Sequence, residues 1–175
     1  MRILIAEDET IIRLDLRDLL ERSGYEVCAE ARDGREAVDL AHEHQPDLVI
    51  LDVKMPNLDG IEAARMITAE RPIPVVLLTA YAGQELVARA VGAGVFGYIV
   101  KPFREVEIAP ALELAWARHA DWLATRRDLG RTIGASRADA GPVEVTVEGK
   151  ARWPLRIERH PDGSVDVTLA DEKQP

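Results

Sequence analysis

The sequence predicts an α/β protein: a five-stranded, parallel, doubly wound sheet followed by a small C-terminal antiparallel β meander. Three observations lead there. Short apolar runs alternate five times with helical patterns over about 125 residues, which is how βα units build a parallel sheet covered on both faces. The first of those runs, Ile3 to Ala6, is continuously apolar, as a strand buried on both faces is. After residue 142 the period changes to two, and turn signals separate three runs.

The elements follow in order. Ile3 to Ala6 is the first strand, and Ile11, Ile12, Leu14, Leu16, Leu19 and Leu20 form a helical pattern closed by Ser23-Gly24. Tyr25 to Ala29 is the second strand; Asp33-Gly34-Arg35-Glu36 opens a helix that ends near His44. Pro46 breaks the chain before the third strand, Leu48 to Leu51, and Asp59-Gly60 starts a helix through about Glu70. Pro72 and Pro74 precede the fourth strand, Val75 to Leu78, and a helix is expected over about Gly83 to Val91. Gly92-Ala93-Gly94 turns the chain into the fifth strand, Phe96 to Val100, and a long last helix runs from about Arg104 to Arg127. On that helix Ile108, Leu112, Ala115 and Trp122 make one apolar stripe.

Composition narrows the function classes. With 175 residues, 47% hydrophobic and 30% charged, the chain can bury a core and has room for one domain plus a small appendage. No apolar run approaches the roughly 18 residues that span a bilayer. The short apolar start meets Glu7-Asp8-Glu9 at once, which predicts no signal peptide and a cytoplasmic protein. A single cysteine, Cys28, excludes an intramolecular disulfide and a cysteine-based zinc cluster; on the second strand it reads as a small hydrophobe. His42, His44, His119 and His160 show no ligand spacing. Residues 1–120 hold 13 Lys/Arg against 21 Asp/Glu, a balance of −8, and residues 121–175 hold 9 against 10, a balance of −1. Neither part has the basic excess of a broad nucleic-acid surface. Arg126, Arg127 and Arg131 read as a solvated helix end.

In a doubly wound sheet, ligands bind beyond the carboxyl ends of the strands, where the strand order reverses. Here those ends carry Glu7 and Asp8 after the first strand, Asp52 after the third, Thr79 after the fourth and Lys101-Pro102 after the fifth. Three carboxylates brought together repel one another unless a cation offsets them. An all-oxygen donor set favours a hard cation, Mg²⁺ above all. A carboxylate beside Mg²⁺, an ammonium and a hydroxyl can attack a phosphoryl group, whose transferred oxygens the cations then stabilise. Asp52 stands alone at a central strand end and is the nucleophile candidate; the Glu7-Asp8 pair is better placed to hold metal.

These motifs resemble a known family. Leu51-Asp52-Val53-Lys54-Met55-Pro56-Asn57-Leu58-Asp59-Gly60 is similar to the phosphoacceptor segment of response-regulator receiver domains. Glu7-Asp8, Thr79-Ala80 and Lys101-Pro102-Phe103 fall where that family has its other motifs, and the resemblance covers about residues 1–125. It implies the flavodoxin-like receiver fold, with Asp52 accepting phosphate from a sensor histidine kinase. It also implies Mg²⁺ held by Asp8 and Asp52, with Glu7 acting through water and the Lys54 backbone carbonyl completing the protein ligands. Lys101 would contact the phosphoryl oxygens, Thr79 and Tyr98 would form the switch pair, and the Lys101–Pro102 peptide bond would be cis. The expected chemistry is self-phosphorylation and autodephosphorylation, not turnover of an external substrate. Ile5 to Glu9, Asp52 to Pro56, Lys101 to Phe103 and Pro110 agree with the receivers of ANTAR-type antitermination regulators. Those proteins carry a helical RNA-binding module after the receiver; no second helical bundle is evident in this tail.

The tail has its own pattern. Residues 128–142 read as a linker of small and polar residues. Val143, Val145 and Val147, then Trp153, Leu155 and Ile157, then Val165, Val167 and Leu169 alternate with polar positions. Glu148-Gly149-Lys150 and Pro161 to Ser164 are the turns, which makes residues 143–170 a three-stranded meander and residues 171–175 a tail. Pro154 is expected at an edge or bulge. Nine apolar residues on one face of so small a sheet need a cover, and the expected cover is a second copy, in a homodimer. The whole predicts a receiver, residues 1–127, whose phosphorylation switches a protein-interaction or oligomerisation surface. The alternative is an RNA-binding antitermination regulator with an atypical output.

Overall fold

A computed structural model describes residues 1–80, 89–90, 93–135, 143–146, 152–159 and 165–169. Two compact units divide the chain, Met1–Trp122 and Leu123–Pro175. In the first, β1 (Arg2–Ala6), α1 (Thr10–Arg22), β2 (Glu26–Ala31), α2 (Gly34–His44), β3 (Leu48–Asp52), α3 (Gly60–Glu70), β4 (Val75–Thr79), β5 (Val95–Val100) and α4 (Glu105–Ala135) follow one another, α4 continuing into the second unit. The strands form one sheet in the order β2-β1-β3-β4-β5, every neighbouring pair parallel. This is the doubly wound sheet that the pattern predicts, with its order reversing at β1. The expected helix over about Gly83 to Val91 lies outside the described residues, except Arg89 and Ala90, which are helical.

Period two along each strand sorts the apolar residues onto two faces. Leu4, Ala6, Val49, Leu51, Val75 and Leu77 pack with Ala37, Ala41, Ile61, Ala64 and Ile67 of α2 and α3. Ile3, Ile5, Leu48, Ile50, Val76 and Leu78 pack with Leu16 and Leu20 of α1 and Ile108, Leu112 and Ala115 of α4. Each such Leu or Ile contributes roughly 1.5–3 kcal/mol by leaving water. That double burial holds the strands rigid up to their carboxyl ends, where the charged residues begin.

The helix starts are specified locally. Asp33 caps α2 by accepting from the Glu36 N–H at 2.9 Å, and Asp59 caps α3 by accepting from the Ile61 and Glu62 N–H groups, each at 2.9 Å. α1 has no side-chain cap at Glu9. Gly60 follows Asp59 for a spatial reason: a Cβ there would sit 2.0 Å from the Asp52 backbone oxygen. The start of α3 can therefore lie against the end of β3 only without a side chain.

Two expectations are corrected. α4 ends at Ala135, so the segment expected to be linker from residue 128 is helical over its first eight residues. Gly130 and Gly134 suggested a break, but each glycine costs a helix only about 1 kcal/mol, and extension of a formed helix is far easier than nucleation. The meander forms as β6 (Val143–Thr146), β7 (Arg152–Arg159) and β8 (Val165–Leu169), antiparallel in the order β6-β7-β8. Pro154 lies in the central strand, not at an edge: it is registered with Glu144 of β6, and the β7–β8 register begins one residue later, at Leu155 with Leu169. A residue without an N–H is tolerated where the ladder is one-sided. The register joins apolar to apolar residues, Val145 with Trp153 and Ile157 with Val167. Val147 and both expected turns lie outside the described residues.

The Asp59 carboxyl is held below the usual carboxylate range; burial pushes it up, but the N–H groups of the cap and the Arg89 guanidinium outweigh that. A depressed folded-state pKa stabilises above the unfolded value and is lost as the pH falls through the folded one. Asp59→Ala is expected to cost about 1 kcal/mol at neutral pH. Urea denaturation at a series of pH values should show this cost shrinking as the pH drops below the unfolded value of 3.8.

Candidate functional site

The register of the sheet assembles the site. Ala6 pairs with Leu51, so one residue further Glu7 stands level with Asp52. Thr79 pairs with Val100, and its carbonyl accepts the Lys101 N–H at 2.8 Å. Glu7 is fully buried, and Asp52 and Thr79 are each 5% exposed; Asp8 is exposed. Carboxylate oxygens of Glu7, Asp8 and Asp52 all lie within 4.8 Å of one another.

Lys101 reaches into this cluster. Its Nζ is 2.9 Å from Asp52 Oδ1 and 2.5 Å from Glu7 Oε2; the second contact is an ion pair rather than a hydrogen bond of regular geometry. The peptide bond between Lys101 and Pro102 is cis. Glu7 Oε1 accepts the Glu9 N–H at 3.2 Å. Burial pushes the Glu7 carboxyl up, with the Asp52 charge adding to it and Lys101 opposing it. Burial works against the Lys101 ammonium, but Glu7 and Asp52 together hold its pKa above the ordinary value.

The sequence-expected residues are largely brought together. Glu7, Asp8, Asp52, Thr79 and Lys101 meet at the carboxyl edge beside the β1/β3 switch point. Lys54 follows Asp52 with an exposed side chain. Tyr98 pairs with Leu77, two residues back from the Thr79–Val100 pair; it is 53% exposed and lines a surface cavity of about 390 Å³ with Lys101, Pro102 and Glu107. Cys28 is half-buried, its thiol pushed up by burial and donating to the Ile3 carbonyl at 3.4 Å.

Other contacts have no signal in the sequence. Arg13 Nη1 donates to the Glu7 carbonyl at 2.6 Å, and Arg89 pairs with Asp59 at 2.7 Å. His119 is buried between Phe96 and Trp122, stacked on the indole at 5.9 Å and edge-on to the phenyl ring at 5.1 Å. It completes the stripe that runs from Ile108 to Trp122.

The donor set fits a hard divalent cation. It is all carboxylate oxygen, it is open to solvent at Asp8, and its three formal negative charges face one ammonium.

Comparison with known proteins agrees with the site. Residues 3–113 match the response regulator receiver domain. The chain belongs to this family. The receiver is 55% identical over 117 residues to the transcriptional regulatory protein PdtaR of Mycobacterium tuberculosis. That match covers 67% of this chain and 57% of the relative, so it spans little more than half of the relative's length. It is 38% identical over 112 residues to the chemotaxis protein CheY of Thermotoga maritima, covering 63% of this chain and 93% of that one. Among solved structures, the CheX–CheY–BeF₃–Mg²⁺ complex of Borrelia burgdorferi matches with a TM-score of 0.62 at 27% identity, over 64% of this chain and 86% of that one. Receiver domains are phosphoryl-accepting regulators of two-component signalling that bind Mg²⁺ at an acidic pocket, and a receiver implies a phosphodonor histidine kinase as partner. Among the described residues, no helix is long and apolar enough to cross a membrane.

Removing the ammonium should expose the charge problem. In the absence of divalent cations, Lys101→Met leaves Glu7 and Asp52 without their counter-charge, and the expected loss is about 3 kcal/mol at neutral pH. The raised Glu7 pKa means that the folded state holds this proton more tightly than the unfolded chain. Ionisation of Glu7 therefore costs stability as the pH rises towards its folded-state pKa. Chemical denaturation of the variant should show the loss narrowing on acidification, as Glu7 takes up a proton.

Proposed function

We propose that Asp52 is the phosphoacceptor of a two-component response regulator and that its phosphorylation switches a protein-interaction or oligomerisation surface. The observation that carries this is the Lys101 ammonium set between Glu7 and Asp52, with the three carboxylates' oxygens within 4.8 Å, at the strand-order switch. An Asp52 carboxylate oxygen attacks the phosphorus of a phosphohistidine. The new O–P bond forms as the N–P bond breaks, and the electron pair returns to the leaving imidazole. Water later cleaves the acyl phosphate, so the chemistry begins and ends on this chain's own residue.

Asp8, Asp52, the Lys54 carbonyl and, through water, Glu7 would hold Mg²⁺. When bound, the ion offsets charge on the transferring phosphoryl oxygens. Lys101 exchanges part of its contact with Asp52 for a phosphoryl oxygen. The Thr79 hydroxyl turns to meet the same group, and the exposed Tyr98 ring moves into the space that this opens. The surface around Tyr98, Lys101, Pro102 and Glu107 changes with it.

The meander serves assembly in this reading. Its registered apolar pairs need a cover, and a second copy supplies one, making the protein a homodimer. One observation favours a second reading, in which the residues after the receiver contact RNA: the 55% identical relative is named a transcriptional regulatory protein. Filter binding that weakens steeply with salt would support that reading.

Intact-mass spectrometry after incubation with acetyl phosphate and Mg²⁺ should show one added phosphoryl group on the wild type and none on Asp52→Asn. Phosphoryl transfer that survives the substitution overturns Asp52 as the nucleophile. Light scattering should give twice the 19.3 kDa chain mass; a monomer with and without acetyl phosphate removes the dimer.

A further inference from the structure

The three acidic ligand candidates differ in how the fold holds them. Asp52 is the last residue of a fully buried strand, whereas Glu7 and Asp8 lie past the end of β1, in the turn that leads into α1. Two other helices, α2 and α3, open with aspartate caps, Asp33 and Asp59. α1 opens at Glu9 without one. A turn that presents two carboxylates to a cation therefore lacks the usual restraint at its helix end.

Arg13 supplies the restraint. Its side chain is only 11% exposed, with Nη1 donating to the Glu7 carbonyl at 2.6 Å and Nε 3.4 Å from Glu30 Oε2. Glu30 lies on β2, one residue before Ala31, whose carbonyl accepts the Glu7 N–H at 3.1 Å. Arg17, one turn further along α1, pairs with the other oxygen of Glu30 at 3.0 Å. Both backbone groups of Glu7 are thus fixed from outside the turn, one by β2 directly and one by an arginine braced on β2.

We propose that Arg13 is a positioning residue for Mg²⁺, holding Glu7 and Asp8 at the cation through the Glu7 carbonyl. The proposal rests on the metal-dependent reading above. The two contacts leave the guanidinium from different nitrogens in a fixed fork, which a lysine ammonium cannot reproduce. Arg13→Lys keeps the charge and loses the geometry, so it separates position from electrostatics. Arg17→Gln removes a neighbouring cation from Glu30 and leaves the Glu7 carbonyl contact in place.

The test uses the full chain and magnesium chloride. Isothermal titration should give an Mg²⁺ dissociation constant about tenfold weaker for Arg13→Lys and Arg13→Gln than for wild type, within the range for lost outer-shell partners. Arg17→Gln should match wild type. In acetyl phosphate labelling, the Arg13 variants should need more Mg²⁺ for half-maximal rate yet reach the wild-type rate at saturation. A purely structural defect would lower the maximal rate with the folded fraction and leave the midpoint alone, and that outcome overturns the proposal, as does a wild-type affinity in Arg13→Lys. Absence of Mg²⁺ binding by the wild type overturns the metal-dependent reading itself, and this proposal with it.

Discussion

Lys101 touches Glu7 and Asp52 at once, and the rest of the site depends on that shared ion pair. A parallel sheet whose order reverses at β1 brings the ends of β1 and β3 side by side, and both ends are acidic. Buried carboxylates at this spacing would separate, or take up protons, without a counter-charge. The ammonium arrives from β5, which places it across β4 from Asp52. One residue from the edge of the sheet thus makes tolerable a charge cluster made by its centre. The cluster is still acidic after that pairing, which suits it to a divalent cation.

The surrounding structure keeps this arrangement fixed. Apolar packing on both faces leaves the strands no register to slip into. Gly60 lets the start of α3 close over the Asp52 carbonyl, and Asp59 ties that start to Arg89, on the far side of Thr79 in sequence. The segment after Asp52 is therefore linked to the segment after Thr79 by a charge pair at 2.7 Å. A change at either strand end has a short physical route to the other.

Much of this was legible in the sequence because two periodicities carried it. Apolar runs marked the parallel strands, and the charged and polar residues that the sheet gathers at its carboxyl edge stand at the ends of the first, third, fourth and fifth runs. Asp52, Thr79 and Lys101 needed no further information than their place at strand ends. Other features were hidden for identifiable reasons. Gly130 and Gly134 looked like a linker, since local propensity does not register a helix already under way. Pro154 sits in a central strand where pairing with β8 has not begun, a matter of register rather than of residue type. Arg13 belongs to the site through a backbone carbonyl, which no side-chain pattern announces. His119 reads as polar yet fills the gap in an apolar stripe, because its ring can stack on Trp122.

The central claim is that the charge convergence at the carboxyl edge is a phosphoryl-accepting site with Asp52 as its nucleophile. Peptide mapping of the acetyl phosphate-treated protein tests it most directly, since it reads where the group goes rather than whether it goes. Cleavage after Arg35 and Lys54 isolates Glu36 to Lys54. The phosphoryl group is expected on that peptide and, after fragmentation, on Asp52 rather than Asp39 or Asp47. A label on the peptide that contains Glu7 and Asp8, or anywhere other than Asp52, would contradict it.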